Sequence, residues 1–529
     1  MKNILWLGCI LLLIGCESEK ADFSHPDYDR AFENSKSANQ ALRNSSAYMQ
    51  GWLLKADEES GLIPRNLFDD NDIWNAKDAA ADNYPFMVLT AAITDSVVFN
   101  TTMLEMLATE KELTSRLNSL PDTYSFSKNN FLLEEIDTSQ IIFGASEYMK
   151  DGLLPLTEWL GPSPWSERMI SMLRDLYPLR DKIERVVGND LGKAPVEEVK
   201  GELLQVLNRM YWMTGEEKFY QWAIEIGDHY LLDNHLPREY IRLRDHGCEF
   251  ISGLSELYFT VNLKDPEKKK LYQQPLHIFL DEILALGRNK DGLFYNAIDL
   301  EKQTVVDSGI ADTWGYTLNA YYTVYQIDQK ESYLHAVEKT LANISKYTNF
   351  PWEGKSSDGY ADAIESAINL YNRLPSPSLA GWIDSEMKVM WEKQQPNGII
   401  EGWHGDGNFA RTSIMYHLWK SKGVTIEPWR ANLYYAAENQ GDTLRVFITS
   451  PVDYKGQLQL DKPRHQEYLN LPEDYPRINQ FQEWFTVKAS DRILVTDSKN
   501  KKAYSCNGND IIPILLNSRD SLKIEIIKL

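Results

Sequence analysis

Seven stretches that are apolar nearly all round recur between residues 37 and 425 of this 529-residue chain. They are ADNYPFMVLTAAI from Ala81, IIFGASEYMKDGLLPL from Ile141, EVKGELLQVLNRMYWMTG from Glu198, RDHGCEFISGLSELYF from Arg244, IADTWGYTLNAYYTVYQI from Ile310, SDGYADAIESAINLYNRL from Ser357 and GDGNFARTSIMYHLWKSKG from Gly405. Their starts lie roughly 46 to 66 residues apart, in the range of helical-hairpin arrays. A helix without a polar face is buried on both sides. The helices between them, such as EKFYQWAIEIGDHYLL (Glu217 to Leu232) and LAGWIDSEMKVMWEKQ (Leu379 to Gln394), are amphipathic instead. Buried and half-buried helices in alternation describe an inner and an outer ring. The chain is therefore expected to be mainly α, an (α/α) toroid of six or seven helical hairpins. An open tetratricopeptide-like solenoid would repeat nearer ~34 residues and more regularly.

The loops support the ring. GLIPRN at Gly61, GLFYNAID at Gly292 and GIIEGWHG at Gly398 share a glycine, an apolar pair and a polar turn, each leading into an inner helix. Such loops collect on one face, where a toroid carries its cleft. Beyond residue 425 the pattern changes to short alternating strands: LRVFITS, GQLQLD, WFTVKA, RILVTDS, IIPILLN and LKIEIIKL. Residues 426–529 read as an antiparallel β-sandwich with a packing role.

The chain opens MKNILWLGCILLLIGCESEK. Its apolar run is short for a membrane span and ends in Leu13-Ile14-Gly15-Cys16, which resembles a bacterial lipoprotein cleavage box. Residues 1–15 are expected to be a signal peptide, Cys16 the lipidated residue, residues 16–36 a flexible leader and residues 37–425 the catalytic toroid. The expected address is the cell envelope: lipid-anchored to the outer membrane, periplasmic or surface-exposed. Glu17 and Glu19 after the cysteine are similar to export signals of some Bacteroidetes lipoproteins.

A net charge of −22 opposes nucleic acid as a partner, because phosphate binding needs a basic face. Acidic sugars are still compatible if a few arginines line one pocket. Cys248 and Cys506, the cysteines outside the leader, give no disulfide framework and no zinc spacing. No metal and no cofactor is expected, and a homo-oligomer is left open.

Polar residues gather at the inner-helix starts: Asp78 and Asp82; Glu147, Lys150 and Asp151; Arg244, Asp245, His246 and Glu249; Asp307 and Asp312; Asp358, Asp362 and Glu365; Trp403, His404, Asp406 and Arg411. Helix capping explains some acids there. Asp245, Asp358 and Asp406 sit beside glycine turns and read as caps. Glu147, Glu249, Asp312 and Asp362 lie deeper, amid apolar residues, where an unpaired carboxylate gains proton affinity. A raised pKa suits a general acid. Paired carboxylates are what glycosidic cleavage needs. Glu249 is the first choice for acid or base, with Asp312 or Asp362 as partner and His246 beside it. Arg244, His404 and Arg411 are candidates to hold a sugar carboxylate, Trp403 and Trp314 to stack on a sugar face, and Glu147 to contact substrate. HExxH, GxxxxGK[ST], GxGxxG after a strand and GxSxG are all absent.

Together GLIPRN, WNAKDAAADNYPF, FGASEYMKDGLLPLTEW, LRDHGCEF and EGWHGDGNFART resemble the (α/α)-toroid carbohydrate-active enzymes of bacterial polysaccharide-utilisation systems, most nearly glycoside hydrolase family 154. The resemblance runs from about Ser37 to the C-terminus. It implies a β-glucuronidase, exo-acting on a uronic-acid-containing glycan. ADTWGY at Ala311 is also similar to motifs of unsaturated glucuronyl hydrolases. Two other readings stand beside this one: a polysaccharide lyase on the same toroid, and a non-catalytic glycan-binding surface lipoprotein.

Overall fold

A computed structural model describes residues 21–186 and 195–529. The expected signal peptide and Cys16 lie outside these residues. Among the described residues, no helix is long and apolar enough to cross a membrane.

Seven inner helices close into a ring, and each of the seven predicted stretches falls on one of them. The first is a π-helical segment, Ala76–Asn83, that runs into Tyr84–Thr94. The second is built of Thr138–Glu147, the π-helical Tyr148–Leu153 and Leu154–Leu160. The others are Pro195–Thr214, Cys248–Lys264, Trp314–Asp328, Ser357–Arg373 and Asn408–Ser421. Each packs against the next, and the seventh packs back on the first. Among the described residues the toroid thus has seven hairpins, which decides between six and seven. Outer helices begin with capping residues followed by proline: Ser163-Pro164, Asp265-Pro266 and Ser376-Pro377. The cap satisfies free N–H groups, and proline has none to lose at the first position.

The recurrent loop glycines have a backbone reason. Gly61, Gly292 and Gly398 all have positive φ, of 70°, 106° and 89°. A side chain there would be strained. The apolar pair after each is buried, anchoring the loop and turning the chain into the next inner helix.

The expected flexible leader to residue 36 is replaced by order from Pro26. Helix Pro26–Leu53 is the first outer helix, and it packs against the seventh inner helix and strand Tyr434–Gln440. Its stripe of Tyr28, Ala31, Ala38 and Leu42 is buried, but the Ser, Asn, Asp and Glu between them hid it in the composition.

Beyond the ring, two antiparallel sheets share one apolar core. One has five strands in the order Tyr434–Gln440, Thr443–Thr449, Ser521–Lys528, Arg492–Asp497 and Tyr504–Asn507. The other orders Ile512–Leu516, Tyr454–Gln459 and Thr425–Glu427. The predicted strand WFTVKA is no strand, because it ends a long excursion out of the sandwich. Residues 464–484 leave the sheets and pack into the toroid, where Leu469, Leu471, Tyr475 and Phe481 join its core.

This strap crosses the ring's centre. Arg477 donates to Glu158 of the second inner helix at 2.7 and 2.8 Å, and Tyr475 donates to Glu256 of the fourth at 2.8 Å. Arg209 of the third donates to the Ile478 carbonyl, and Thr323 of the fifth to that of Pro476. The Asn479 amide donates to Glu365 of the sixth at 2.8 Å, while Arg411 of the seventh donates to the Asn479 side chain at 3.0 Å. Six inner helices are tied to one loop. A structural role alone therefore understates the C-terminal region, since it also supplies the ring's floor.

Candidate active site

At the N-terminal ends of the inner helices lies a pocket of about 270 Å³, floored by Ile478. Beside it is a wider chamber of about 980 Å³, and Arg65, Lys77, Arg242, Asp245, Glu353 and Trp403 line both. The inner pocket is lined by ten Asp and Glu side chains against five Lys and Arg and two His. With that imbalance, some carboxyls must stay protonated or find a cation.

The two π-helical segments form one wall. A π turn carries an extra residue and redirects side chains, a distortion frequent at functional sites. Asn75 caps the first by accepting from the Ala79 amide at 3.0 Å. Gly152 lets the two segments touch: a Cβ there would lie 2.7 Å from the Ala80 carbonyl oxygen. Asp78 and Asp82 thereby stand next to Lys150 and Asp151.

Three groups of charges face the pocket. In the first, His404 Nε2 lies 3.6 Å from Asp82 and 3.8 Å from Asp78, and Arg65 donates to Asp78 at 2.6 Å. The Asp82 carboxyl accepts no hydrogen bond from another side chain or amide among the described residues. Burial pushes Asp82 up to about 7, against the opposing pull of His404. Burial opposes charge on His404, yet Asp82 and Asp78 lift its imidazole to about 9.

In the second group, Arg411 donates to Asp362 at 2.8 Å and pairs with Glu365 at 2.8 Å. Tyr316 donates to Asp362 at 3.1 Å and to Glu365 at 2.5 Å. Burial, with Asp358 adding to it, raises Asp362 to about 6, and Arg411 holds it from going higher. In the third group, Lys150 bridges Asp151, at 2.6 Å, and Glu249. The Asn479 side chain donates to Asp151 at 3.3 Å.

Most of the residues anticipated from sequence converge here, with corrections. Asp362, Arg411, Glu147, His246 and His404 line the pocket. Glu249 lines it too, but Lys150 occupies one of its oxygens and Gln205 the other. Each of its oxygens thus already accepts one hydrogen bond, and one of them holds Lys150. Asp312 is not in the wall: it sits behind Asp245, accepting from that residue's backbone N–H at 3.3 Å. Trp314 is wholly buried, edge-to-face with Trp382 at 6.0 Å, so it is core and cannot stack on a sugar. Trp403 is 85% exposed at the rim. Arg244 lines the outer chamber.

The three expected caps are not caps. Ser356 caps the sixth inner helix by accepting from the Gly359 amide, leaving Asp358 to accept from Asn408 at 2.7 Å. Asp245 has a positive φ of 50° and pairs with Arg242, and Asp406 is buried with one oxygen unpartnered. Cys248 behaves as expected, packed with Tyr316 and Ile478 beneath the pocket.

Sequence reasoning missed Arg65, Lys77, Tyr316, Ile478, Asn479 and Glu198 in these walls. WNAKDAAADN offered one signal: Asp78 and Asp82 are four apart and share a helix face. Nothing local marked Ile478 or Asn479, which reach the site only through the strap.

Asp78, Asp82 and His404 converge closely, but Asp78 already carries Arg65 as its cation. Glu147, Glu198, Glu202 and His246 converge without such a partner for each carboxylate.

No protein-family profile matches the chain, and no curated protein does. Among solved structures it is similar to an α-1,6-mannanase of Salegentibacter sp. HEL1_6, with 13% identity over 59% of this chain and 95% of that one, at a TM-score of 0.41. It is also similar to a family 76 glycoside hydrolase (mannosidase) of Bacteroides thetaiotaomicron, with 12% identity over 72% and 99% and a TM-score of 0.39. A third is the unsaturated glucuronyl hydrolase of Bacillus sp. GL1, with 11% identity over 54% and 88% and a TM-score of 0.37. These likenesses are weak, and the site's chemistry rests on this chain's own residues.

Proposed function

We propose that this protein is an exo-acting glycoside hydrolase that removes a terminal uronic acid, as a β-glucuronidase does, from a larger glycan. The observation that carries this reading is a pair of carboxyls in one small pocket held in different surroundings: Asp82 has no hydrogen-bond donor among the described residues, whereas Asp362 accepts from Arg411 and Tyr316. Burial favours the proton on Asp82, while the Arg411 cation favours charge on Asp362. Environments that separate two carboxyls in this way assign acid and base.

Asp82 protonates the glycosidic oxygen as its bond to the anomeric carbon breaks. Asp362, aimed by Arg411 and Tyr316, either takes the proton of the attacking water or attacks the carbon itself. Their separation in the bound state decides between inversion and retention. Trp403 at the rim offers a sugar a flat apolar face. Lys77 and Arg244, which have no carboxylate partner among the described residues, suit an anionic sugar in an otherwise acidic site; Lys77 lines both chambers.

The test is a panel of aryl glycosides and uronate-rich oligosaccharides, scored for free uronic acid and for the ultraviolet absorbance of unsaturated uronides. Release of uronic acid that D82N and D362N each abolish supports the reading. Unsaturated product would make the protein a lyase, and binding without turnover would make it a glycan-binding protein. Lys77→Met and Arg244→Met should weaken turnover of a glucuronide at least tenfold in KM. If a neutral glycoside is the better substrate and both variants leave it untouched, the uronate assignment is wrong.

A further inference from the structure

Glu202 on the third inner helix has no role in the reaction above. It is wholly buried (0% exposed), and among the described residues neither of its carboxylate oxygens has a hydrogen-bond partner. An isolated buried carboxylate is among the costliest groups a fold can hold. Its surroundings add charge of the same sign: ligand atoms of Glu147, Glu198, Glu202 and His246 all lie within 4.8 Å of one another. Lys150 is committed to Asp151 and Glu249, and Arg242 reaches Glu198 at 3.5 Å.

We infer that Glu147, Glu198, Glu202 and His246 form a binding site for a divalent metal ion. Glu198 and Glu202 are four apart on one helix and so present their carboxylates together. The Nδ1 atom of His246 faces Glu147 at 3.8 Å, and its Nε2 faces Asp245 at 3.4 Å. A carboxylate behind the far nitrogen is the usual support of a metal-bound imidazole, fixing its tautomer and orientation. Three oxygens and one nitrogen, without a thiolate, suit Mn²⁺ or Zn²⁺. Glu198 and His246 also line the substrate pocket, so open coordination positions would face a bound sugar. The ion would supply positive charge in an acidic pocket and a contact for a sugar hydroxyl or carboxylate.

Because binding is measured without turnover, this inference can fail while the hydrolase reading stands, and the reverse. Purified full-length protein, stripped with a chelator and dialysed, is titrated calorimetrically with MnCl₂ and with ZnCl₂, and its thermal unfolding is followed with and without each ion. The expected result is one ion per chain with Kd on the order of 10 μM or tighter and a raised Tm. Glu202→Gln should weaken binding at least tenfold. Glu198→Gln, at a half-buried position that tolerates substitution, should do the same should the first variant fold poorly. Two outcomes would overturn the site: no saturable binding of either ion below about 1 mM, or binding that both variants leave unchanged.

Discussion

Replacing Asp82 by Asn should remove the alkaline limb of the pH–rate profile and leave the acid limb standing. The magnitude follows from the two carboxyls, with Asp82 at about 7 and Asp362 at about 6. Both carboxyls are raised by burial, so activity should peak between the two limbs, and the alkaline fall should report loss of the Asp82 proton. A carboxyl at its ordinary value would carry a proton at pH 7 in fewer than ~0.1% of molecules, so burial of Asp82 enlarges the acid population about 800-fold. The assay is kcat/KM against pH on two glycosides of the same sugar, one with a good aryl leaving group and one with a poor alkyl group. With the poor leaving group, Asp82→Asn should cost on the order of 10²–10⁴-fold; the activated aryl glycoside needs little protonation and should lose far less. Equal losses on both substrates, or an alkaline limb that persists near pH 7 in the variant, would refute the assignment of Asp82 as the acid.

Three further outcomes can be checked with the same protein. His404 holds the Asp82 carboxyl down, so His404→Asn should move the alkaline limb to higher pH, and a limb that stays put or falls would contradict the pairing. Trp403→Ala should change stability by less than about 0.5 kcal/mol, since the ring is exposed, while raising KM roughly tenfold at unchanged kcat; a large fall in urea midpoint would place the ring in the core instead. Arg477→Ala leaves buried Glu158 with Arg209 at 3.2 Å as its remaining ion partner, and should cost about 3–5 kcal/mol in urea unfolding together with activity.

The inner ring was legible because a helix buried on both sides has no polar face to confuse its pattern, and the loop glycines marked where each inner helix begins. The same rule hid the start of the first outer helix: polar residues among its buried positions, such as Asp27 and Ser35, make residues 26–36 read as part of a flexible leader. In the site, Asp362 and Arg411 were found because charge stands out in apolar sequence. Their roles were less visible. Glu249 looked free, but its partners, Lys150 and Gln205, come from two other helices. Asp312 and Trp314 begin the fifth inner helix, yet the turn there sends both side chains away from the pocket. Glu202 in KGELLQ was a signal passed over, a carboxylate in the middle of an apolar helix.

The strap gives the ring a directional consequence. Pro476, Arg477, Ile478 and Asn479 close the end opposite the loops, so the toroid is a blind well and not a tunnel. A glycan cannot be threaded through such a ring. Its terminus must go in first, and the freed sugar must come out through the mouth that the remaining chain occupies. On the proposed reading, release of that sugar requires the polymer to step back from the mouth first. The C-terminal region, which contributes no charged group to the proposed reaction, would thereby set the direction from which a glycan can enter.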